Sequence, residues 1–193
     1  MVVSVLKLFP LKTVLCPGGT LSLRVFEPRY LAMVSECLRE KNGFGVLLIK
    51  EGREVGEAET FKIGTIAQII DWDQGSDGLL GITVEGQQRF RLESVEKRND
   101  GLYIGKLKRI AGELEVSVPD DYQFLVSLLK GLFDELGGHC QNFVKKYDDS
   151  SWVGYRLTEV LPLTLTAKQE SLEMNDPLAR LSFLTTYIRT GSK

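Results

Sequence analysis

The feature that most restricts the fold is a change of period near residue 112. Before it, apolar residues come in short runs broken by glycine, the pattern of strands; after it, they recur at helical spacing. The strand-like runs are residues 3–9, 20–25, 44–49, 61–70, 79–84, 87–95 and 102–110. Alternation is cleanest in Gln88-Arg89-Phe90-Arg91-Leu92, which predicts Phe90 and Leu92 inward and Arg89 and Arg91 in water. Turn chemistry separates the runs: Pro17-Gly18-Gly19, Glu51-Gly52, Gln74-Gly75 with Asp77-Gly78, and Asn99-Asp100-Gly101. One helix interrupts them. Pro28 suits its first turn, Leu31, Val34 and Leu38 form a stripe that Tyr30, Met33 and Cys37 widen, and Asn42-Gly43 offers a left-handed stop.

In the second part, Pro119 with Asp120 and Asp121 predicts a helix start, and Tyr122, Leu125, Leu129, Leu132 and Leu136 a single face ending at Gly137-Gly138. Gly131 within it weakens that helix. A second helix is expected over residues 151–161, before Pro162. A third has a capping box in Thr166-Ala167-Lys168-Gln169. The last has Asp176 as N-cap, Pro177 in its first turn, Leu178, Leu181, Leu184 and Ile188 inward, and Gly191 at its end. Strands followed by helices predict an α+β chain, with a β-rich part over 1–112 and a helical bundle over 113–193.

Bulk properties remove several classes of function. At 193 residues with 43% hydrophobic residues, the chain can build its core without disulfides or metal. Three scattered cysteines, Cys16, Cys37 and Cys140, suit a reducing, cytoplasmic setting. The first fifteen residues are interrupted by Lys7, Pro10 and Lys12, so a signal peptide is not expected. No apolar stretch reaches the roughly 18 residues of a membrane span.

Catalytic chemistry has little to rest on. His139 is the only histidine and adjoins Cys140; meeting Cys16 or Cys37 would require long-range folding. A zinc site needs paired ligands that are missing from this pattern. The stretch from Asp71 to Asp77 resembles a calcium loop, but its glycine comes one position early and Ile82 stands where a bidentate glutamate belongs. It is read as a solvated hairpin turn. No phosphate-binding glycine motif occurs, so neither a cofactor nor ATP hydrolysis is expected. Residues 86–110 do carry a basic excess, Arg89, Arg91, Lys97, Arg98, Lys106, Lys108 and Arg109 against Glu93, Glu96 and Asp100. That keeps an RNA-binding module open as an alternative, although the net charge of −2 gives no overall reason to expect nucleic acid.

Several segments carry a family resemblance. Leu8-Phe9-Pro10-Leu11, Val14-Leu15-Cys16-Pro17-Gly18 and the run from Leu21 through Phe26-Glu27-Pro28-Arg29-Tyr30 resemble the opening of the Lon protease N-terminal domain. The likeness continues through Phe44-Gly45-Val46, Ile63-Gly64-Thr65, Gly86-Gln87-Gln88-Arg89-Phe90, Lys168-Gln169-Glu170 and Asp176-Pro177-Leu178-Ala179-Arg180. Cys16 departs from the family, which often has an aromatic there.

The resemblance implies a PUA-like β pseudobarrel with one helix, followed by helices, in a bacterial domain that holds exposed hydrophobic or unfolded segments. Since the chain ends at Lys193, the ATPase and protease domains of full-length Lon are not expected, and the chain is expected to be non-catalytic, with a protease or chaperone as a further partner. An apolar groove between the two parts is expected to bind peptide through Phe26, Tyr30, Met33 and Phe44. The family-motif residues Pro10, Pro17, Gly18, Glu27, Pro28, Arg29, Gly64, Gly86, Lys168, Gln169 and Arg180 are expected to serve the fold, with Gly64 and Gly86 at a bulge or tight turn.

Overall fold

The structure, a computed structural model, describes residues 3–52, 58–136 and 145–191. The chain falls into two units, Met1–Gly112 and Glu113–Lys193.

In the first unit the alternating runs become β1 (Val3–Leu11), β2 (Thr20–Val25), β3 (Phe44–Gly52), β4 (Ala58–Thr60), β5 (Ile63–Gln74), β6 (Leu80–Lys97) and β7 (Tyr103–Arg109), with helix α1 (Pro28–Glu40) after β2. The sheet is antiparallel in the order β1-β7-β6-β5-β3. It closes because β1 also lies parallel to β3, with Leu8 opposite Gly45 and Leu11 opposite Leu48. Two strands sit outside this ring, β2 on β6 and β4 on β3.

Both faces of the strands are packed. One carries Leu8, Leu47, Ile66, Phe90 and Leu107. The other carries Phe9, Val46, Ala67, Ile82 and Val84, and α1 covers it with Tyr30, Met33, Val34 and Cys37. Those four helical positions follow i, i+3, i+4 and i+7, a narrower stripe than predicted, and Tyr30 stacks on Phe9 at 4.0 Å. The helix is therefore turned so that Leu31 and Leu38 face outward. It ends at Lys41, whose φ of 52° supplies the left-handed stop expected of Asn42-Gly43.

The two runs predicted over 79–84 and 87–95 are one strand, β6, with a bulge between them. Ala67 lies opposite Gly86 and Thr65 opposite Arg89, so β6 has one residue more than β5 in that interval. The extra residue reverses the faces: Val84 joins the helix-covered cluster, and Phe90, also even-numbered, joins the other. Arg89 is thereby buried at 4% exposure, opposite the buried Thr65, where the alternation predicted water; Arg91 is exposed. The β5–β6 turn closes with Gly75 N–H donating to Leu79 O at 2.9 Å. Asp71 and Asp73, read as turn residues, thus belong to β5.

The second unit has a short 3-10 turn (Asp120–Tyr122) and helices α2 (Gln123–Leu136), α3 (Ser150–Val160), α4 (Leu165–Glu173) and α5 (Pro177–Thr190). Its core joins Leu125, Val126, Leu129 and Phe133 of α2 to Val153 and Leu157 of α3 and Leu181 and Leu184 of α5. Leu136, expected on the inner face of α2, is exposed. Asp149 caps α3, accepting from Ser151 N–H at 2.9 Å, and Asp176 caps α5, accepting from Leu178 N–H at 2.9 Å. The cap of α4 is Thr164, which accepts from Ala167 N–H at 3.1 Å; Thr166, the predicted cap, lies inside the helix. Gly137, Gly138, His139 and Cys140 lie outside the described residues. No helix among the described residues is long and apolar enough to cross a membrane.

Candidate protein-binding surface

The helix-covered face of the sheet runs out from under α1 at one end. Cross-strand pairing sets Leu23, Ile82 and Trp72 in one row over β2, β6 and β5, and Val25, Leu80 and Gln74 in the next. Along the first row burial falls from Ile82, in the core, to Trp72, which is 60% exposed. Phe26 stands beside these rows in the two-residue link between β2 and α1 and is 59% exposed. Leu31, turned outward by the rotation of α1, adds a third apolar side chain at 38% exposure. These side chains, with Val25, Gln74, Gly78, Leu79 and Leu80, line a cleft of about 330 Å³. On its other side Phe26 borders a second cleft of about 230 Å³, floored by Phe9, Leu11 and Tyr30. At its rim Arg24 pairs with Asp77 at 2.7 Å. Aromatic and aliphatic surface of this kind holds apolar side chains by area burial.

Of the four residues expected to touch peptide, only Phe26 is on the surface. Tyr30, Met33 and Phe44 are at most 2% exposed and belong to the core between α1 and the sheet. The reason is the helix stripe itself, since 30, 33, 34 and 37 are the positions α1 needs to seat on the sheet. Leu31 and Trp72 are the exposed apolar side chains that line the cleft with Phe26. Trp72 had a signal in the sequence, a tryptophan alternating with aspartates in Asp71-Trp72-Asp73, which a hairpin reading obscured.

The motif residues make contacts within their own unit. Glu27 pairs with Arg29 at 2.8 Å, Arg29 also donates to Gly101 O at 3.1 Å, and its guanidinium lies 4.7 Å from the centre of the Tyr30 ring. Pro28 opens α1, and Pro10 lies in β1 opposite Leu47. In the loop after Pro17, Gly18 has a φ of 68° and donates to Gly86 O at 2.7 Å, while Gly86 N–H returns a bond to Gly19 O at 2.8 Å. A Cβ at Gly86 would stand 2.1 Å from Cys16 O, and one at Gly64 2.1 Å from Val46 O, so both sites require backbone contact that only glycine permits. Lys168 donates to Glu159 O near the end of α3 at 2.7 Å, and Gln169 to Glu173 at 2.8 Å.

Arg180, expected from the sequence to serve the fold, is wholly buried and is the centre of a polar network. It grips Glu113 with two bonds of 2.8 and 2.6 Å, donates to Ser171 O and Met174 O, and stacks 3.9 Å from the centre of the Tyr155 ring. The Tyr155 and Ser151 hydroxyls complete the Glu113 carboxylate at 2.6 and 2.7 Å. Burial pushes the Glu113 carboxyl up, but the bonds and charge of Arg180, with the two hydroxyls, hold it below the ordinary glutamate range. Glu113 had no local signal, lying between apolar runs that fix neither its partner nor its burial.

Part of the basic stretch is engaged within the fold: Arg89 is buried, Arg98 is held by Asp100 and Glu36, Arg109 donates to Gln88, and Lys97 lies over the Tyr103 ring, while Arg91 lies opposite Lys108 where β6 pairs with β7. The Cys16 and Cys37 side chains are buried in the core, and burial pushes the Cys37 thiol up to about 11. Among the described residues no group of histidine, cysteine and carboxylate side chains is arranged to hold a metal ion.

Residues 5–190 match the model of the ATP-dependent protease La (LON) substrate-binding domain. The chain belongs to the Lon substrate-binding domain family. A crystal structure of a Lon N-terminal domain protein from Xanthomonas campestris superposes with a TM-score of 0.81 at 34% identity, covering 95% of this chain and 98% of that one. The N-terminal domain of Mycobacterium avium complex Lon protease shares the fold, with a TM-score of 0.71 at 17% identity over 98% of this chain and all of that one. Lon protease 2 of Syntrophobacter fumaroxidans is 25% identical over 95% of this chain, which spans 24% of that protein's length. Nothing in these similarities supports the RNA-binding alternative.

Proposed function

We propose that this Lon-type domain is a non-catalytic protein-binding module that holds exposed hydrophobic segments of unfolded chains at the surface formed by Phe26, Leu31 and Trp72. The observation that carries the reading is the three exposed apolar side chains, Phe26, Leu31 and Trp72, that line one cleft in a member of a substrate-binding family. A captured segment is then available to a protease or chaperone acting beside the domain. Selectivity for sequence is low, because area burial rewards any large apolar side chain.

Burying an aromatic or aliphatic side chain contributes about 1.5–3 kcal/mol, and each 1.4 kcal/mol is about tenfold in affinity. Replacing both Phe26 and Trp72 with serine is therefore expected to weaken binding of a reduced, carboxymethylated model protein by at least about tenfold. Anisotropy titration measures it, with the melting transition confirming that the variant folds. Unchanged affinity in a folded double variant refutes this placement.

A further inference from the structure

The outer edge of β2 is open. β2 pairs with β6 on one side, and among the described residues nothing hydrogen-bonds to its other edge. Folded proteins blunt such edges with brevity, proline, charged side chains (lysine above all) or bulges, and the one charged residue of β2, Arg24, is paired with Asp77. β4, the other strand outside the ring, is blunted in this way: it has three residues and an irregular register. β2 has six residues, no proline or lysine, and an unbroken register from Thr20 opposite Glu85 to Val25 opposite Leu80.

The smaller cleft borders this strand. Ser22, Leu23, Arg24 and Val25 form its β2 wall, Lys12 and Thr13 also line it, and apolar core side chains form its floor. Two of the three charged side chains lining it are ion-paired, Arg24 with Asp77 and Glu27 with Arg29.

Building on the capture function above, we propose that the captured segment binds as an extended strand added to the free edge of β2. Its occupant is a stretch of partner polypeptide with uncharged apolar residues at every second position. The side chains that point the same way as Leu23 and Val25 enter the cleft beside Phe26, and those between them face solvent. Backbone bonds to the edge supply affinity that does not depend on sequence, and the cleft supplies the preference for apolar side chains.

The test uses the full chain and a labelled ten-residue peptide alternating leucine with serine, titrated by anisotropy. Two further versions carry two N-methylated amides each, in one alternating register or the other. Only one register can face β2, so one version is expected to lose about tenfold, the ordinary loss for two backbone hydrogen bonds, while the other binds like the parent. Amide exchange at residues 20–25 should slow when the parent peptide is added. Equal binding by all three peptides, or equal loss by both methylated ones, overturns the strand-addition proposal and leaves capture at Phe26 and Trp72 standing. Concentration-dependent protection of β2 without peptide also overturns it, by showing a second copy on the edge. If the parent peptide does not bind, and unfolded protein does not bind either, the capture reading fails with it.

Discussion

Glu113 and Arg180 show how much of the second unit depends on a single buried pair. Removing one partner of such a pair leaves the other charge buried and uncompensated, at a cost of about 3–5 kcal/mol. Arg180→Leu is therefore expected to lower the denaturation midpoint of the helical unit far more than any substitution at the exposed Leu136. The same pair sets a pH dependence. Because the folded-state carboxyl of Glu113 lies below its ordinary value, its contribution is fully present above the unfolded glutamate pKa and is lost as pH falls through the lowered folded value. Chemical denaturation from neutral to acid pH should show this decline, and Glu113→Gln, with a lower neutral-pH stability, should show less of it. An equal acid decline in wild type and variant would assign it to other carboxylates.

At the scale of elements, the alternating and helical runs were legible because burial on one face leaves a period in the sequence. What could not be read was how an element is turned. Leu31 and Leu38 fit a helical stripe as well as Tyr30 and Cys37 do, and only seating against Phe9 and the sheet chooses between them. The bulge in β6 is equally hidden, since Arg89 and Arg91 look alike until one extra residue buries the first and leaves the second in water. Consequently the sequence points to Phe26, which is exposed, but not to Trp72 and Leu31, its neighbours in the cleft. Helix α4 poses the same problem at its start, because Thr164 and Thr166 both satisfy local capping chemistry. Thr164 holds the cap bond, so Thr164→Ala should cost about 1 kcal/mol and Thr166→Ala close to nothing. Urea denaturation of the two variants distinguishes them, and equal costs would place the helix start elsewhere.

At the scale of the whole molecule, a strand-rich first unit and a helical second unit follow the switch of period, and similarity to Lon substrate-binding domains extends over nearly the full chain. The residues of the proposed capture surface all belong to the first unit. With a formal net charge of −2 and its apolar anchors outside the basic stretch, the chain is expected to bind unfolded polypeptide with little dependence on salt, unlike a phosphate-binding protein. The central claim is tested most directly by a residue-resolved NMR titration of the full chain with a permanently unfolded protein. The account predicts the largest shifts at Phe26, Leu31, Trp72 and Leu79, preserved at high salt; shifts confined to Arg91, Lys106 and Lys108, or to the helical unit, would contradict it.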